Sequence, residues 1–176
     1  RVFEAADMSD EPFGWNLMNW VVRRELWDYL QAAPRVTALY GTGFKSLVNR
    51  TTETIVTLTD GSSVRAKLAI AADGKLSPLR EAAGIDVTTT RYGQKSLAFT
   101  VTHELPQDNI STEIYNEGGP FTIVPLADLD GRPASAIVWM NKGPRSVELM
   151  EMEVEAFEQV MFERSTGLLG WMQLEG

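Results

Sequence analysis

Four residues at fixed spacing, Asp73, Gly74, Ser77 and Arg80, form the group most able to do chemistry in this sequence. They follow an apolar run, residues 68–72, that has the composition of a buried strand. Asp73 would therefore lie at a carboxyl strand end, where open α/β sheets bind ligands. Gly74 allows another group to approach the backbone closely, and Ser77 followed by proline is a typical helix start. Arg80 adds a positive charge whose shape suits phosphate.

This turn therefore predicts a binding site for an anion. The amides of a helix's first turn have no partner within the helix, and the helix dipole favours negative charge there. Gly84 is a suitable residue to end the short helix. The alternative is an ordinary turn at Asp73-Gly74 with Arg80 solvated on a surface helix, and local chemistry leaves both interpretations open.

A second glycine-containing stretch, GTGFKS at 41–46, has only part of a dinucleotide-binding fingerprint. The fingerprint is Gly-x-Gly-x-x-Gly, in which the third glycine allows close packing of the helix that follows. Ser46 stands where the fingerprint has its third glycine, and residues 47–59 are rich in threonine and resemble strands instead of a helix. We interpret the stretch as a connection between strands.

The composition argues against several classes of protein. With 176 residues, 44% of them hydrophobic, the chain can form one domain or two small lobes with a core. A net charge of −8 without a lysine or arginine cluster argues against nucleic-acid binding. The absence of cysteine and a single histidine argue against disulfides, thiolate chemistry and a transition-metal site. No run approaches the roughly 20 apolar residues of a membrane-spanning helix, and we predict a cytoplasmic location.

The remaining elements divide into two lobes with a boundary near residues 86–92. In the first lobe the periodicity predicts a helix over 15–33, then short strands over 35–40, 44–48, 54–59 and 64–72, with a hairpin turn at Asp60-Gly61. In the second lobe, four strands predict an antiparallel sheet with one solvated face, over 95–105, 111–115, 120–126 and 134–140. A helix from an N-cap at Ser146 to Gly167 would complete it.

The stretch from Asp73 to Arg80 resembles, at every fixed position, the Asp-Gly-x-x-Ser-x-x-Arg motif of the FAD-dependent aromatic hydroxylases (class A flavoprotein monooxygenases). Arg23 and Leu26 in VVRRELWDYL are similar to that family's Arg-x-x-Leu helix. The later stretches RYGQKSLAFTV, GGPFTIVPL and SAIVWM resemble, in order, its Tyr-x-Gln strand, its Gly-Pro strand and the strand that follows. The resemblance covers roughly 14–171 and is nearest to the ubiquinone-biosynthesis hydroxylases.

The resemblance implies an α/β (α+β) fold, with part of a Rossmann-like FAD-binding lobe over 1–88. A mixed or antiparallel substrate-binding sheet domain of the para-hydroxybenzoate hydroxylase type, with a C-terminal helix, would cover 89–176. It also implies FAD and NAD(P)H as cofactors, and hydroxylation of an aromatic ring by O2 through a flavin C4a-hydroperoxide. The implied partners are an aromatic, polyprenylated substrate, a peripheral contact with a membrane and a second copy of the chain, with no nucleic acid.

The resemblance also assigns the site residues. Arg23, Asp73, Gly74, Ser77 and Arg80 would bind cofactor, and no protein side chain would be catalytic or bind metal.

The substrate wall would be formed by Pro120, Phe121 and Pro125. Each assignment has a structural alternative: Arg23 as a solvated helix residue, and the prolines as markers of an edge strand. Three further residues, Phe99, Trp139 and His103, are expected to be two core aromatics and a surface or hydrogen-bonded histidine.

Two of the family's cofactor motifs, the Gly-x-Gly-x-x-Gly loop and the Gly-Asp motif, do not occur here. We therefore expect the chain to be the middle of a longer enzyme, and to bind FAD poorly and be inactive by itself. Two other interpretations stay open. One is a flavin-dependent reductase of the geranylgeranyl reductase type, and the other is a non-catalytic binding or assembly domain that uses its sheet face.

Overall fold

A computed structural model describes residues 1–175, which form two compact units. The turn unit comprises Arg23–Thr90. The sheet unit comprises Arg1–Val22 together with the residues from Arg91 onward.

A three-stranded antiparallel sheet forms the centre of the turn unit. Its strands are β1 (Phe44–Asn49), β2 (Thr54–Leu58) and β3 (Ser63–Ala66), in the order β1-β2-β3. The predicted hairpin turn joins β2 to β3. Gly61 has φ +88°, and the Asp60 carboxylate accepts hydrogen bonds from the Ser62 amide and hydroxyl. Glycine is favoured at this φ because it has no Cβ. The helix α2 (Pro78–Ala82) belongs to this unit, and so does most of α1 (Asn19–Ala32), which begins four residues before Arg23.

Two predictions for this part of the chain are wrong. Residues 35–40 and Leu68–Ala72 form no strand, because a strand requires a neighbour to accept and donate its backbone hydrogen bonds. Leu68 and Ile70 are instead 72% and 80% exposed. The helix predicted over 15–33 is present as α1, and none of its residues is buried.

The sheet unit contains five antiparallel strands in the order β5-β6-β7-β4-β8. The strands are β4 (Gln94–His103), β5 (Thr112–Ile114), β6 (Phe121–Pro125), β7 (Ala134–Lys142) and β8 (Met172–Glu175). Two helices, α3 (Gly143–Met150) and α4 (Val154–Arg164), accompany the sheet, and a short 3-10 helix spans Ala5–Asp7.

The side chains of β6 and β7 alternate between a covered and an open face, as a strand period of two requires. On the covered face Phe121 lies opposite Trp139, and α4 contributes Phe157, whose ring packs against Trp139 and Phe99. The open face carries the half-buried Val124. Phe99 and Trp139 are therefore core residues, as predicted, and the predicted antiparallel sheet with one open face is confirmed.

The single predicted C-terminal helix is two helices. Pro144 lies in the first turn of α3, where its missing amide has no helical partner to lose. Ser146 is inside α3 and is not a cap, since its hydroxyl donates to the carbonyl of Lys95. Gly167 follows α4 with φ +64°, as its predicted role at the helix end requires.

Candidate functional site

The predicted turn folds into a tightly hydrogen-bonded unit at the start of α2. The hydroxyl of Ser77 donates to one oxygen of the Asp73 carboxylate and accepts from the Arg80 amide at 3.0 Å. The other Asp73 oxygen accepts from the Leu79 amide at 3.2 Å. Ser77 is buried and is the N-cap of α2, followed by Pro78, as the sequence predicts.

The Asp73 carboxylate therefore occupies the position at the start of α2 where the sequence predicts an external anion. The hydrogen bond from Ser77 is the largest cause that holds the pKa of Asp73 below its ordinary value of 3.8, and the Leu79 amide and the charge of Arg80 act in the same direction. The carboxylate pairs with the Leu79 amide in the first turn of α2, where the helix dipole favours negative charge. Any external anion must use other donors of this turn.

Replacing Asp73 by asparagine should destabilise the turn unit at neutral pH. Because the folded-state pKa lies below the unfolded one, the ionised carboxylate stabilises the fold above the unfolded-state pKa, and this stability is lost as the pH falls through the folded pKa. We expect the deficit of D73N, measured by urea unfolding, to be full at pH 7. It should shrink below about pH 3.9.

Asp86→Asn is the matched control for this prediction, because Asp86 is exposed in the same unit and forms no hydrogen bond or ion pair with residues 1–175. It should leave the unfolding curve unchanged at both pH values. A D73N deficit that stays constant from pH 7 to the acid range would contradict the prediction.

One donor of the turn has no acceptor. Arg80 is half-buried, its Nη1 donates to the Lys75 carbonyl at 3.3 Å, and its Nε is buried without a partner among the described residues. Gly74 has φ +91°, and no atom lies within 4 Å of where a Cβ would be. The turn thus combines an unpaired cationic donor with an uncrowded glycine backbone, which is an arrangement that an anionic ligand can use.

A groove of about 460 Å³ lies beside the same turn, within the turn unit. Its wall includes the apolar side chains of Leu47, Leu79 and Ile85. It also includes three cations, of which Arg80 belongs to the turn; Lys67 is exposed, and Arg50 pairs with Glu53 at 3.1 Å. Cationic groups over an apolar wall suit a ligand that has both an anionic part and a flat or aliphatic part.

Arg23 stands apart from the turn. It is exposed on α1, and none of its contacts with residues 1–175 is a hydrogen bond or an ion pair. Within the turn unit the structure therefore brings together Asp73, Ser77 and Arg80, and does not bring Arg23 to them.

The three residues of the predicted substrate wall occupy different environments. Pro120 is half-buried and its carbonyl accepts from the Met140 amide at 2.9 Å. Phe121 is 0% exposed, and Pro125 is buried as well. Because β5 pairs only with residues 121–123, Pro125 lies where β6 has no neighbour on that side, which a proline tolerates.

A buried arginine in the sheet unit, Arg164, was missed by the sequence analysis. Its Nη2 donates to the carbonyls of Ile114 and Gly119, and its guanidinium lies 5.7 Å from the centre of the Phe121 ring. Burial lowers the pKa of Arg164, with the charge of Glu117 acting in the opposite direction, although an arginine keeps its proton in proteins. The sequence around Arg164 is acidic and contains no pattern that indicates a buried arginine, so the sequence favours a surface position for it.

His103 is a hydrogen-bonded core residue. Its Nδ1 donates to the Leu105 carbonyl at 2.8 Å, and its Nε2 accepts from the Ser135 hydroxyl at 2.9 Å. Both ring nitrogens are thereby used within the fold, which agrees with the predicted structural role.

The described part of the chain contains no group of three or more histidine, aspartate or glutamate side chains placed to hold a metal ion. Among the helices of residues 1–175, none has the length and hydrophobicity needed to cross a bilayer.

Several known proteins similar to this chain are named as enzymes of ubiquinone biosynthesis. Ubiquinone hydroxylase UbiL of Rhodospirillum rubrum is 31% identical over 165 residues, which are 94% of this chain and 38% of that protein. The 3-demethoxyubiquinol 3-hydroxylase of Escherichia coli is 28% identical, over 97% of this chain and 43% of its own length. The mitochondrial ubiquinone biosynthesis monooxygenase COQ6 of Mus musculus is 30% identical, over 89% and 34%. The chain therefore spans less than half the length of these curated relatives.

Solved structures show the same fold. The crystal structure of PqsL, a probable FAD-dependent monooxygenase from Pseudomonas aeruginosa, matches 88% of this chain and 46% of its own with a TM-score of 0.64 at 18% identity. This likeness confirms the predicted α/β (α+β) fold class. A family model described as the FAD binding domain matches residues 14–162, which is most of the chain. The chain therefore belongs to the FAD binding domain family.

Proposed function

We propose that the complete protein containing this chain is a FAD-dependent monooxygenase that hydroxylates the aromatic ring of a ubiquinone precursor. Membership of the FAD binding domain family and the names of the curated relatives support the proposal. One structural observation carries it: the turn at Asp73 is held by hydrogen bonds of its own and leaves the Nε of Arg80 buried without an acceptor among residues 1–175. A buried cationic donor of this kind is costly unless a ligand pairs with it.

The turn fits the phosphate part of FAD. We infer that Arg80 donates to the pyrophosphate and that Gly74 leaves the backbone open to it, while Asp73 and Ser77 hold the shape of the turn. Arg23, exposed on α1, is proposed to contact a different part of FAD. When bound, FAD supplies the electron transfer and oxygen activation that protein side chains lack.

The substrate wall is proposed to be the start of β6. Because Phe121 and Pro125 are buried, they would act by holding the strand in place, whereas the half-buried Pro120 is the residue able to meet a ring. The substrate would carry a polyprenyl tail, in keeping with the ubiquinone-related names of the relatives. NAD(P)H as the reductant, a peripheral membrane contact, a cytoplasmic location and a homodimer complete the proposal.

Expressing the longest natural reading frame that contains this sequence tests the function directly. We expect yellow protein with flavin absorbance, and NAD(P)H oxidation that increases when 3-demethoxyubiquinol is added. Colourless protein whose behaviour is indifferent to FAD would contradict the proposal.

Replacing Arg80 by methionine in that protein should weaken FAD binding about 10-fold or more, since a charged hydrogen bond contributes roughly 1.5–3 kcal/mol. Titration of the apoprotein with FAD, followed by flavin fluorescence, gives the dissociation constant. Arg35→Met is the matched control, because Arg35 is exposed in the same unit. Equal FAD affinity of R80M and the unmodified protein would remove Arg80 from the site.

A further inference from the structure

We propose that Arg164 is a positioning residue for the hydroxylation: it fixes the turn between β5 and β6, and so places the Gly119-Pro120 backbone against the ring substrate. The inference rests on the proposed function for the identity of the reaction. Its structural half, the attachment of the turn to α4, can be tested separately.

The contacts of Arg164 span the turn. Its Nη2 donates to the carbonyl of Ile114 at 3.3 Å and to the carbonyl of Gly119, which are the residues on either side of 115–118. In return, the side-chain amide of Asn116 donates to the Arg164 backbone carbonyl at 3.1 Å. Three hydrogen bonds therefore attach the C-terminal end of α4 to both ends and the middle of one short turn.

The turn is also fixed from the side of β7. A Cβ on Gly119 would lie 2.6 Å from the Met140 carbonyl oxygen, so the backbones are in closer contact here than any other residue allows. The Pro120 carbonyl accepts from the Met140 amide at 2.9 Å. With β7 on one side and Arg164 on the other, the Gly119-Pro120 backbone has little freedom to move.

Fold stability alone does not explain an arginine at this position. Arg164 is 7% exposed, its Nε and Nη1 have no partner among residues 1–175, and its charge forms no ion pair with them. Burying a charge in this way is costly, and apolar residues of similar volume often serve stability equally well. The Nη2 of the guanidinium instead offers what an apolar side chain cannot, namely two N–H donors on one atom that bind two carbonyls.

The test uses the longest natural reading frame containing this sequence, with the variants Arg164→Met and Arg164→Lys. For R164M we expect the KM for 3-demethoxyubiquinol to rise about 10-fold while kcat changes little, with more peroxide released per NAD(P)H consumed. We also expect faster hydrogen exchange at the amides of 115–119 and unchanged exchange in β4 and β7. The lysine variant keeps the charge and the N–H donors on a side chain with a shorter reach, so it should restore the KM only in part.

Arg145→Met provides the matched control, because Arg145 is a partly exposed arginine of α3 paired with Glu148. It should change neither KM nor exchange. Should R164M fail to fold, Asn116→Ala, which removes the exposed partner in the turn, should raise KM and exchange in the same direction by a smaller factor.

The outcomes separate the two halves of the inference. A folded R164M with unchanged exchange at 115–119 overturns the attachment, whether or not the protein hydroxylates anything. Faster exchange with unchanged KM and peroxide release overturns the positioning role while the proposed function stands. Unmodified protein that shows no flavin overturns the proposed function, and with it the positioning role.

Discussion

Replacing Gly119 by alanine should destabilise the sheet unit by about 3 kcal/mol, at the upper end of overpacking penalties. The new Cβ would lie 2.6 Å from the carbonyl oxygen of Met140 and 3.1 Å from its carbonyl carbon. Both are backbone atoms of β7, so no side-chain rotation can relieve the clash. Relief would require β6 to move away from β7 and would strain the hydrogen bond from the Met140 amide to the Pro120 carbonyl.

Urea unfolding followed by tryptophan fluorescence measures this effect, since Trp139 lies in β7 next to Met140, the residue that Gly119 contacts. Gly14→Ala is the matched control. Gly14 has no atom within 4 Å of an added Cβ and no positive φ, so the same chemical change should alter the free energy of unfolding by less than about 0.5 kcal/mol. Similar unfolding midpoints for the two variants would show that β6 adapts freely to the added carbon.

The elements that the sequence predicts well are those with local causes. The hairpin at Asp60-Gly61 requires only a turn with a residue at positive φ. The cap at Ser77 requires only a hydroxyl three residues before the amide that it accepts from. Four of the five strands of the sheet, β4 to β7, follow from alternation within a few residues, whereas β8 was not predicted.

The predictions that failed depend on contacts that are distant in sequence. Residues 68–72 have the composition of a buried strand, yet strand formation depends on neighbours that composition does not reveal. Ser146 has the chemistry of a cap, but it lies inside α3 and its hydroxyl donates to the carbonyl of Lys95, 51 residues away. Distance in sequence is also why Arg164 was missed, since its carbonyl partner in Ile114 lies 50 residues away.

The candidate site shows the same division. The residue types of the turn predict an anion-binding chemistry, and three of the residues do come together. The sequence could not show which donors the turn would use for itself. The Leu79 amide donates to the Asp73 carboxylate and is therefore used within the turn. The Nε of the Arg80 side chain has no acceptor among the described residues and is the donor available to a ligand.

Replacing Phe121 by alanine distinguishes a core role of this side chain from a role in the substrate wall. For a core residue, we expect Phe121→Ala to lower the free energy of unfolding by about 4 kcal/mol. Its ring is 0% exposed, packs edge-on against Trp139 at 5.3 Å between centroids, and lies under the Arg164 guanidinium. Removing it leaves a cavity between β6, β7 and α4, and lowers the unfolding midpoint in urea. If the side chain instead formed the substrate wall directly, stability would change little and KM would rise.

Val124→Ala is the control that makes this comparison informative, because Val124 is on the same strand and its half-buried side chain lies on the opposite face. Truncating it removes less buried apolar surface, so we expect a loss of about 1 kcal/mol or less. A large loss for F121A beside a small loss for V124A would assign Phe121 to the support of β6. The reverse order would mean that the open face, and not the face covered by α4, stabilises this strand.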